Sequence, residues 1–162
     1  MHSGGFFEET ENNNNSQSKS EKGSLIPVTA KIINDAVLIS DSIDYRGINL
    51  FDVTIVGYLK SYTEGENKVK IKICDHSGIA EVVFFNPNET DMHQGLANFE
   101  YTNEKILVRI FGTLKSYKST KNIQGAKIIE VDSNELTYHK IAVVNDWLYL
   151  TKNTDSTQNV IL

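Results

Sequence analysis

The strongest constraint on the fold is the alternation of apolar and polar side chains in five segments between residues 48 and 131. A period of two residues is typical of a β-strand that turns one face toward a core. In the second segment, Val69, Ile71 and Ile73 alternate with three lysines. Glycines inside three of the segments permit the tight coiling of a small barrel; they are Gly57, Gly112 and Gly125. The sequence therefore predicts an all-β domain in which five strands close into a barrel.

The segments that flank this barrel have a different character. The first two dozen residues contain a run of four asparagines with serines, glutamates and little apolar surface, so residues 1–24 are predicted to form a disordered tail. Its serines are open to two interpretations, solubility or phosphorylation. The barrel domain is assigned to residues 25–133, entered through a short helical turn with Thr29 as its N-cap. A helix over residues 134–152 and a tail over residues 153–162 complete the predicted organisation.

The predicted helix carries more apolar surface than one packing contact would bury. From about residue 134 the apolar period changes to 3.6, and six apolar residues spread over about half of the helix circumference. They are Ile141, Val143, Val144, Trp147, Leu148 and Leu150. On the residues alone, a helix packed wholly on its own barrel and a helix that also contacts partner chains explain the pattern equally well.

Composition and spacing argue against several function classes. The chain has no apolar stretch long enough to span a membrane and no signal-peptide layout, which predicts a cytosolic or nuclear protein. The single cysteine excludes an internal disulfide, and the four histidines lack metal-ligand spacing, so no metal is assigned. Asp75, His76 and Ser77 are interpreted as a turn, because adjacent residues cannot reach the geometry of a catalytic triad. We predict no catalytic residue and no cofactor.

Positive charge is concentrated in one part of a chain whose net charge is −5. Between residues 105 and 129 there are basic residues and no acidic ones. The basic residues are Lys105, Arg109, Lys115, Lys118, Lys121 and Lys127. Period two places Arg109, Lys115 and Tyr117 on the outer face of the fourth strand. For any one lysine a solvated strand face is the simpler interpretation, but a basic stripe beside an exposed ring favours local binding of single-stranded nucleic acid.

Two aromatic residues are candidates for base stacking. The motif G-x-L-K-S-Y occurs at residues 57–62 and again at 112–117, and the second copy ends the fourth strand with Tyr117. Phe85 ends the third strand on the face opposite Phe84, and with Tyr117 as a partner we favour stacking over a stray surface ring. The predicted nucleic-acid-binding residues are Phe85, Tyr117, Arg109, Lys115, Lys118 and Lys121.

Five motifs together resemble the family of middle-sized subunits of replication protein A. They follow the family's order and nearly its spacing: LIPVTAKIIND at 25–35, DVTIVGYLKS at 52–61, ICDHSGIAEVVFF at 73–85, GTLKSYKSTKNIQGAKI at 112–128 and NELTYHKIAVVNDWLYLTK at 134–152. The resemblance covers about four fifths of the chain. It implies a nuclear OB-fold protein that binds single-stranded DNA within a heterotrimer, in DNA replication, repair and recombination. It also implies a phosphorylatable tail and a C-terminal assembly helix.

The resemblance also implies roles for individual residues. The family's two stacking rings fall on Phe85 and Tyr117, with basic residues at Lys115 and Lys121. The helix is expected to contact the large and small OB-fold subunits, with Trp147 and Leu148 as anchors. The full set of expected assembly residues is Ile141, Val144, Trp147 and Leu148.

The sequence departs from the family pattern at two places. The family's third-strand ring is typically a tryptophan, so stacking on the smaller Phe85 ring is expected to be weaker. Family members usually continue into a winged-helix domain that recruits repair proteins, and this sequence stops at Leu162. Either the sequence is truncated or the recruitment function is absent.

Three other functions stay open on the sequence. The chain could be a paralogue in a telomere- or telomerase-associated complex of the same type. It could be an assembly module whose partner makes the important DNA contacts, which the acidic net charge favours and the basic stripe opposes. An enzyme has the least support, because paired acids, a phosphate-binding loop and an activated nucleophile are not recognisable in the sequence.

Overall fold

A computed structural model describes residues 23–87 and 105–158 of the chain. Of the tail predicted over residues 1–24, residues 1–22 lie outside the described residues, as do the connection over residues 88–104 and residues 159–162. In chain order the elements are β1 (Ile26–Pro27), α1 (Ala30–Asp35), β2 (Val37–Ile39), β3 (Ser42–Tyr45), β4 (Ile48–Asn49), β5 (Asp52–Glu64), β6 (Lys68–Asp75), β7 (Gly78–Phe85), β8 (Leu107–Tyr117), β9 (Thr120–Glu130) and α2 (Ser133–Gln158).

Five strands close into the predicted barrel. Their order is β5-β6-β7-β9-β8, and β8 returns to pair with β5. The closing pair is antiparallel and runs from Asp52 opposite Thr113 to Tyr58 opposite Leu107. One pair, β7 with β9, is parallel, with Val83 opposite Gln124. This five-stranded closed barrel has the architecture of an OB-fold, which confirms the predicted fold class.

The alternation in the sequence maps directly onto the barrel wall. In β6, Val69, Ile71 and Ile73 are buried, while the lysines between them are exposed. Because successive side chains of a strand point to opposite faces, each strand contributes every second residue to one core. Fully buried core residues include Val53, Ile55, Ile71, Ile73, Val82, Val108, Ile110 and Ile123. Burying each such side chain stabilises the fold by about 1.5–3 kcal/mol.

Two glycines lie opposite each other in the β8–β9 strand pair of the barrel wall. Gly112 is the partner of Gly125, and the register of the pair shifts between Phe111 and Gly112. A Cβ at Gly112 would lie 2.3 Å from the carbonyl oxygen of Gln124. A Cβ at Gly125 would lie 2.4 Å from two ring carbons of the buried Phe84. The glycines therefore let the strands and the Phe84 ring approach more closely than any side chain would allow.

The structure differs from the prediction before the first barrel strand. The alternation placed Ile48 and Leu50 in that strand, but residues 37–49 form a separate antiparallel sheet of β2, β3 and β4. Its β3–β4 turn has positive φ at Arg46 and Gly47, and Asp44 Oδ1 accepts a hydrogen bond from Gly47 N at 2.9 Å. The strands have two to four residues, too few to show a period of their own.

Helix α1 is held at its first turn by the residues that the sequence interpreted as a turn. Thr29 is the N-cap, as predicted, and its Oγ1 accepts from Ile32 N. Asp75 accepts hydrogen bonds from Ala30 N, Ser77 N, Ser77 Oγ and Gly78 N at 2.6–3.0 Å. Ser77 Oγ also accepts from Lys31 N. The β6–β7 turn therefore caps α1, which confirms the turn interpretation.

Helix α2 begins after Asp132, whose Oδ1 accepts from Asn134 N and Glu135 N. It continues to Gln158, six residues beyond the predicted end at residue 152. The apolar period stops near residue 150, but a formed helix extends with one hydrogen bond per added residue and needs no further burial. The helices in residues 23–87 and 105–158 lack the combination of length and apolarity that a bilayer crossing requires.

One side of α2 packs on the barrel and another side is exposed. Val143 is buried, and Trp147 and Leu150 pack partly against the core. His139, also buried, bonds through Nε2 to the carbonyl oxygen of Val28 at 2.9 Å. Three apolar side chains of the helix stay exposed; they are Ile141, Val144 and Leu148. The six apolar residues of the predicted helix thus divide between the barrel and the surface.

Candidate nucleic-acid interface

The β8–β9 hairpin carries the candidate ring Tyr117 at its tip. Tyr117 pairs with Thr120, so the loop between the strands consists of Lys118 and Ser119. Both loop residues have positive φ, 48° and 65°, which is the backbone of a type I′ turn. The Tyr117 side chain is 68 % exposed, and Lys118 Nζ lies 5.3 Å from its ring centroid. The turn thus exposes the Tyr117 ring together with the Lys118 ammonium group, which makes a cation–π contact with it.

Lys115 lies two residues before Tyr117 on the same outer face of β8. Its side chain is exposed, and its Nζ lies 5.2 Å from the centroid of the Phe51 ring. Phe51 is 52 % exposed. Phe51 was not among the predicted site residues, because it stands outside the alternating pattern and lies near the hairpin only through the β5–β8 pairing.

The structure gives Arg109 and Lys121 other partners. Arg109 was predicted in the DNA-binding stripe, but its guanidinium bonds to Glu135 of α2 at 2.5 Å and its side chain is only 18 % exposed. Lys121 Nζ donates to the carbonyl oxygens of Asn34, at 2.5 Å, and Ala36, at the end of α1. Period two placed Arg109 outside the barrel correctly, but the sequence could not show that helices α2 and α1 contact Arg109 and Lys121 there.

Phe85, the second candidate ring, lies at the end of β7 and is 57 % exposed. Across the sheet it faces Lys68, the first of three exposed lysines on β6. Val83, two residues before Phe85, pairs with Gln124 of the parallel strand β9, and Tyr117 pairs with Thr120 of the same strand. Phe85 and Tyr117 are therefore about six residues apart along β9, a distance on the order of 20 Å. The two rings are therefore too far apart to hold one base between them.

Lys115 and Lys118 are exposed cations of this face. Within the part of the chain that the structure describes, Lys115 and Lys118 form no ion pair, and each lies on a ring. Among the same residues, no group of three histidine, cysteine, aspartate or glutamate side chains is arranged to hold a metal ion. The face offers exposed rings and unpaired cations, which are the components of a single-strand binding surface.

The closed five-stranded barrel followed by a helix defines an OB-fold protein. Within that class, the chain is a distant homologue of the replication protein A 32 kDa subunit, which confirms the resemblance found in the sequence. It is 25 % identical over 156 residues to the subunit of Rattus norvegicus, an alignment that covers 92 % of this chain and 54 % of the rat protein. The chain spans about half the length of the curated relatives it matches. No protein-family model matches the chain.

Solved structures show the same likeness. A chain of yeast RPA bound to ssDNA is 28 % identical, with a TM-score of 0.59, over 75 % of this chain and 88 % of that chain. A chain of the S. pombe Stn1-Ten1 complex has a TM-score of 0.69 at 19 % identity, over 83 % of this chain and 99 % of that chain. At this low identity, the similarity to the Stn1-Ten1 chain shows a shared fold.

Proposed function

We propose that this chain is a single-stranded-DNA-binding subunit of a replication protein A-like heterotrimer. The observation that carries the proposal is the outer face of the barrel, where the exposed rings Phe85 and Tyr117 lie beside lysines that pair with no carboxylate of the described residues. The rings stack on bases, and the nearby ammonium groups contact phosphates. The likeness to yeast RPA bound to ssDNA supports the assignment.

Binding is local and does not depend on the sequence of the DNA. The net charge of −5 repels a polyanion from most of the surface, so the contacts are confined to the β7, β8 and β9 face. Lys115 and Lys118 supply the cations of this face, while Arg109 and Lys121 hold helices in place. Every base has a π-face, so stacking on Phe85 and Tyr117 tolerates all four bases. Work of this kind belongs to DNA replication, repair and recombination in the nucleus.

The exposed side of α2 is the proposed contact with the large and small subunits. Ile141, Val144 and Leu148 are exposed apolar side chains on a helix whose other side packs on the barrel. Trp147, predicted as an anchor, instead meets Tyr45 edge to face at a centroid distance of 5.1 Å within the chain. Leu148 therefore takes the anchor role that the sequence analysis divided between Trp147 and Leu148.

Fluorescence anisotropy with labelled oligothymidine tests the DNA-binding function on the full chain and on its assembly. Tyr117→Ala and Phe85→Ala are each expected to weaken binding by about 1–3 kcal/mol, with folding intact. Tyr138→Ala, which removes an equally exposed ring from α2, is the matched control and should bind normally. If the double variant of Phe85 and Tyr117 keeps the wild-type affinity and crosslinking yield, the chain is an assembly module and the proposal is wrong.

A telomere- or telomerase-associated complex is the second candidate, supported by the fold likeness to a chain of Stn1-Ten1. The barrel chemistry is the same in both settings, so mutation of the DNA face does not separate them. Affinity purification of the tagged chain from nuclear extract, followed by mass spectrometry of its large partner, does. A general replication subunit as the sole large partner would contradict the telomere assignment.

A further inference from the structure

A cleft of about 340 Å³ opens beside the tip of the β8–β9 hairpin. It lies between the small β2–β3–β4 sheet and the end of β8. The residues that matter here are Asp41, Asn49, Phe51, Leu114 and Lys115. This cleft lies beyond Tyr117, on the side away from Phe85, because β8 stands between β9 and β5 in the barrel.

The barrel wall holds the Phe51 ring at this cleft. Phe51 O accepts a hydrogen bond from Leu114 N at 2.8 Å, and the next residue, Asp52, pairs with Thr113. Gly23 lies next to the Phe51 ring, because a Cβ added to Gly23 would be 3.9 Å from Cδ1 of Phe51. Half of the Phe51 side chain nevertheless remains exposed. Fully burying a phenylalanine would stabilise the fold by about 1.5–3 kcal/mol, and this position forgoes part of that gain. Packing therefore does not account for an aromatic residue here.

Rings and cations alternate around the hairpin tip. Lys115 Nζ lies on the Phe51 ring and Lys118 Nζ lies on the Tyr117 ring. Lys115 and Tyr117 are two residues apart on one face of β8, about 7 Å along the strand. That distance is comparable to the repeat of an extended sugar–phosphate chain. Lys115 of the second ring–cation pair is thus about one nucleotide step from Tyr117 of the first.

We propose that Phe51 and Lys115 form a further nucleotide subsite, one step beyond the nucleotide that stacks on Tyr117. The base enters the cleft and stacks on Phe51, and its phosphate stays at the mouth on Lys115. Charge favours this orientation, because the carboxylate of Asp41, a lining residue of the cleft, repels phosphate while the amide of Asn49, another lining residue, offers both a donor and an acceptor to a base edge. This subsite rests on the proposed single-strand binding and extends its footprint past the hairpin.

The test measures the affinity of the full chain for labelled oligothymidines that grow by one nucleotide. Wild-type affinity should rise in a step when the oligonucleotide becomes long enough to reach Phe51. Phe51→Ala should remove that step, a loss of roughly 5- to 150-fold for long oligonucleotides, and leave the shortest ones unaffected. Phe51→Trp should keep the step, and Tyr138→Ala should bind as the wild type does at every length.

Phe51→Leu separates stacking from simple packing, because leucine keeps an apolar side chain of similar bulk without a π-face. We expect it to lose the step as Phe51→Ala does, with unchanged thermal unfolding. Wild-type binding by Phe51→Leu, or an equal loss at every length for Phe51→Ala, overturns the subsite. If Tyr117→Ala weakens binding while Phe51→Ala has no effect, only the subsite fails. If the wild-type chain binds no oligothymidine, the proposed function fails as well.

Discussion

At the scale of single residues, Gly125 and Phe84 show how tightly the barrel wall is packed. An added methyl group at Gly125 would lie 2.4 Å from two carbons of the buried Phe84 ring, so the ring or the strand must move. Overpacking of this kind typically costs 1–3 kcal/mol. We therefore expect Gly125→Ala to lower the free energy of unfolding by about 2 kcal/mol, measured by urea denaturation.

Gly65→Ala is the matched control for that measurement. A Cβ at Gly65 would meet its nearest neighbour at 3.4 Å, an ordinary contact, and Gly65 lies in the loop after β5. Its free energy of unfolding should change by less than about 0.5 kcal/mol. Equal midpoints for the two variants would show that the Phe84 ring relaxes without cost and would refute the packing argument.

Single residues also show what the sequence could tell about the site. Period two predicted the outward direction of Lys115 and Tyr117 correctly, because direction is a property of the strand itself. It could not show that Arg109 meets Glu135, since that contact depends on where a helix 26 residues later packs. Phe51 was missed for a related reason, because its position beside Lys115 follows from pairing between strands far apart in the sequence.

At the scale of elements, three of the four lysines of the β8–β9 hairpin divide between two tasks. Lys115 and Lys118 contact phosphates in our proposal, so Lys115→Gln and Lys118→Gln should each flatten the log–log salt dependence of DNA binding by roughly 0.7. Salt titrations of oligothymidine binding measure this slope. A change in base preference with an unchanged slope would contradict the assignment.

Lys121→Gln is the internal comparison, because Lys121 Nζ caps the carbonyl groups of Asn34 and Ala36. Losing hydrogen bonds from a charged donor should lower the free energy of unfolding by about 1–2 kcal/mol. The salt slope of DNA binding should stay at the wild-type value. A reduced slope for Lys121→Gln would return this lysine to the phosphate contacts.

A second prediction at this scale compares a substitution on the exposed side of α2 with one on its buried side. Leu148→Glu adds charge to the exposed side, so the chain should stay folded but no longer co-purify with its partner subunits. Val143→Glu places an unpaired carboxylate in the core and should instead unfold the chain. Circular dichroism and a pull-down distinguish the two. Normal co-purification of Leu148→Glu would exclude this side of α2 as the interface.

The elements that the sequence predicted best are those whose own period reports burial. The barrel strands are long and turn every second side chain toward the core, so alternation located all five. Strands β2 to β4 have at most four residues, and their stability comes from packing of Ile43 and Ile48 on the core. The end of α2 was placed too early because the apolar period in the sequence stops near residue 150 while the helix continues to Gln158.

At the scale of the whole molecule, His139 joins the helix to the barrel and makes that joint sensitive to pH. Its Nε2 donates to Val28 O, which leaves Nδ1 as a bare acceptor, buried without a partner among the described residues. Burial lowers the pKa of His139 below its usual 6.5, and Arg109 lowers it further, while the Val28 bond, Asp75 and Glu135 oppose the shift. The folded chain therefore holds a neutral imidazole.

This low pKa sets the direction of the pH dependence. Below about pH 6.5 the unfolded chain binds a proton that the folded chain does not, so the stability contributed at higher pH is lost as the pH falls toward the pKa of the folded state. Urea denaturation between pH 7.5 and 5 should show this decline. His139→Gln keeps a donor for Val28 and should flatten the profile, whereas His76→Gln, at an exposed histidine, should leave it unchanged. A wild-type profile for His139→Gln would contradict the assignment.

The same bond between His139 and Val28 joins residues 111 positions apart, and this separation orders events during synthesis. A ribosome releases the chain from its N-terminus, so β5, β6 and β7 emerge before β8. Their apolar faces stay uncovered until β8 closes the barrel. Helix α2 emerges later still and docks on a barrel that is already complete. A partner that binds the exposed side of α2 can therefore join only after translation of the barrel has finished.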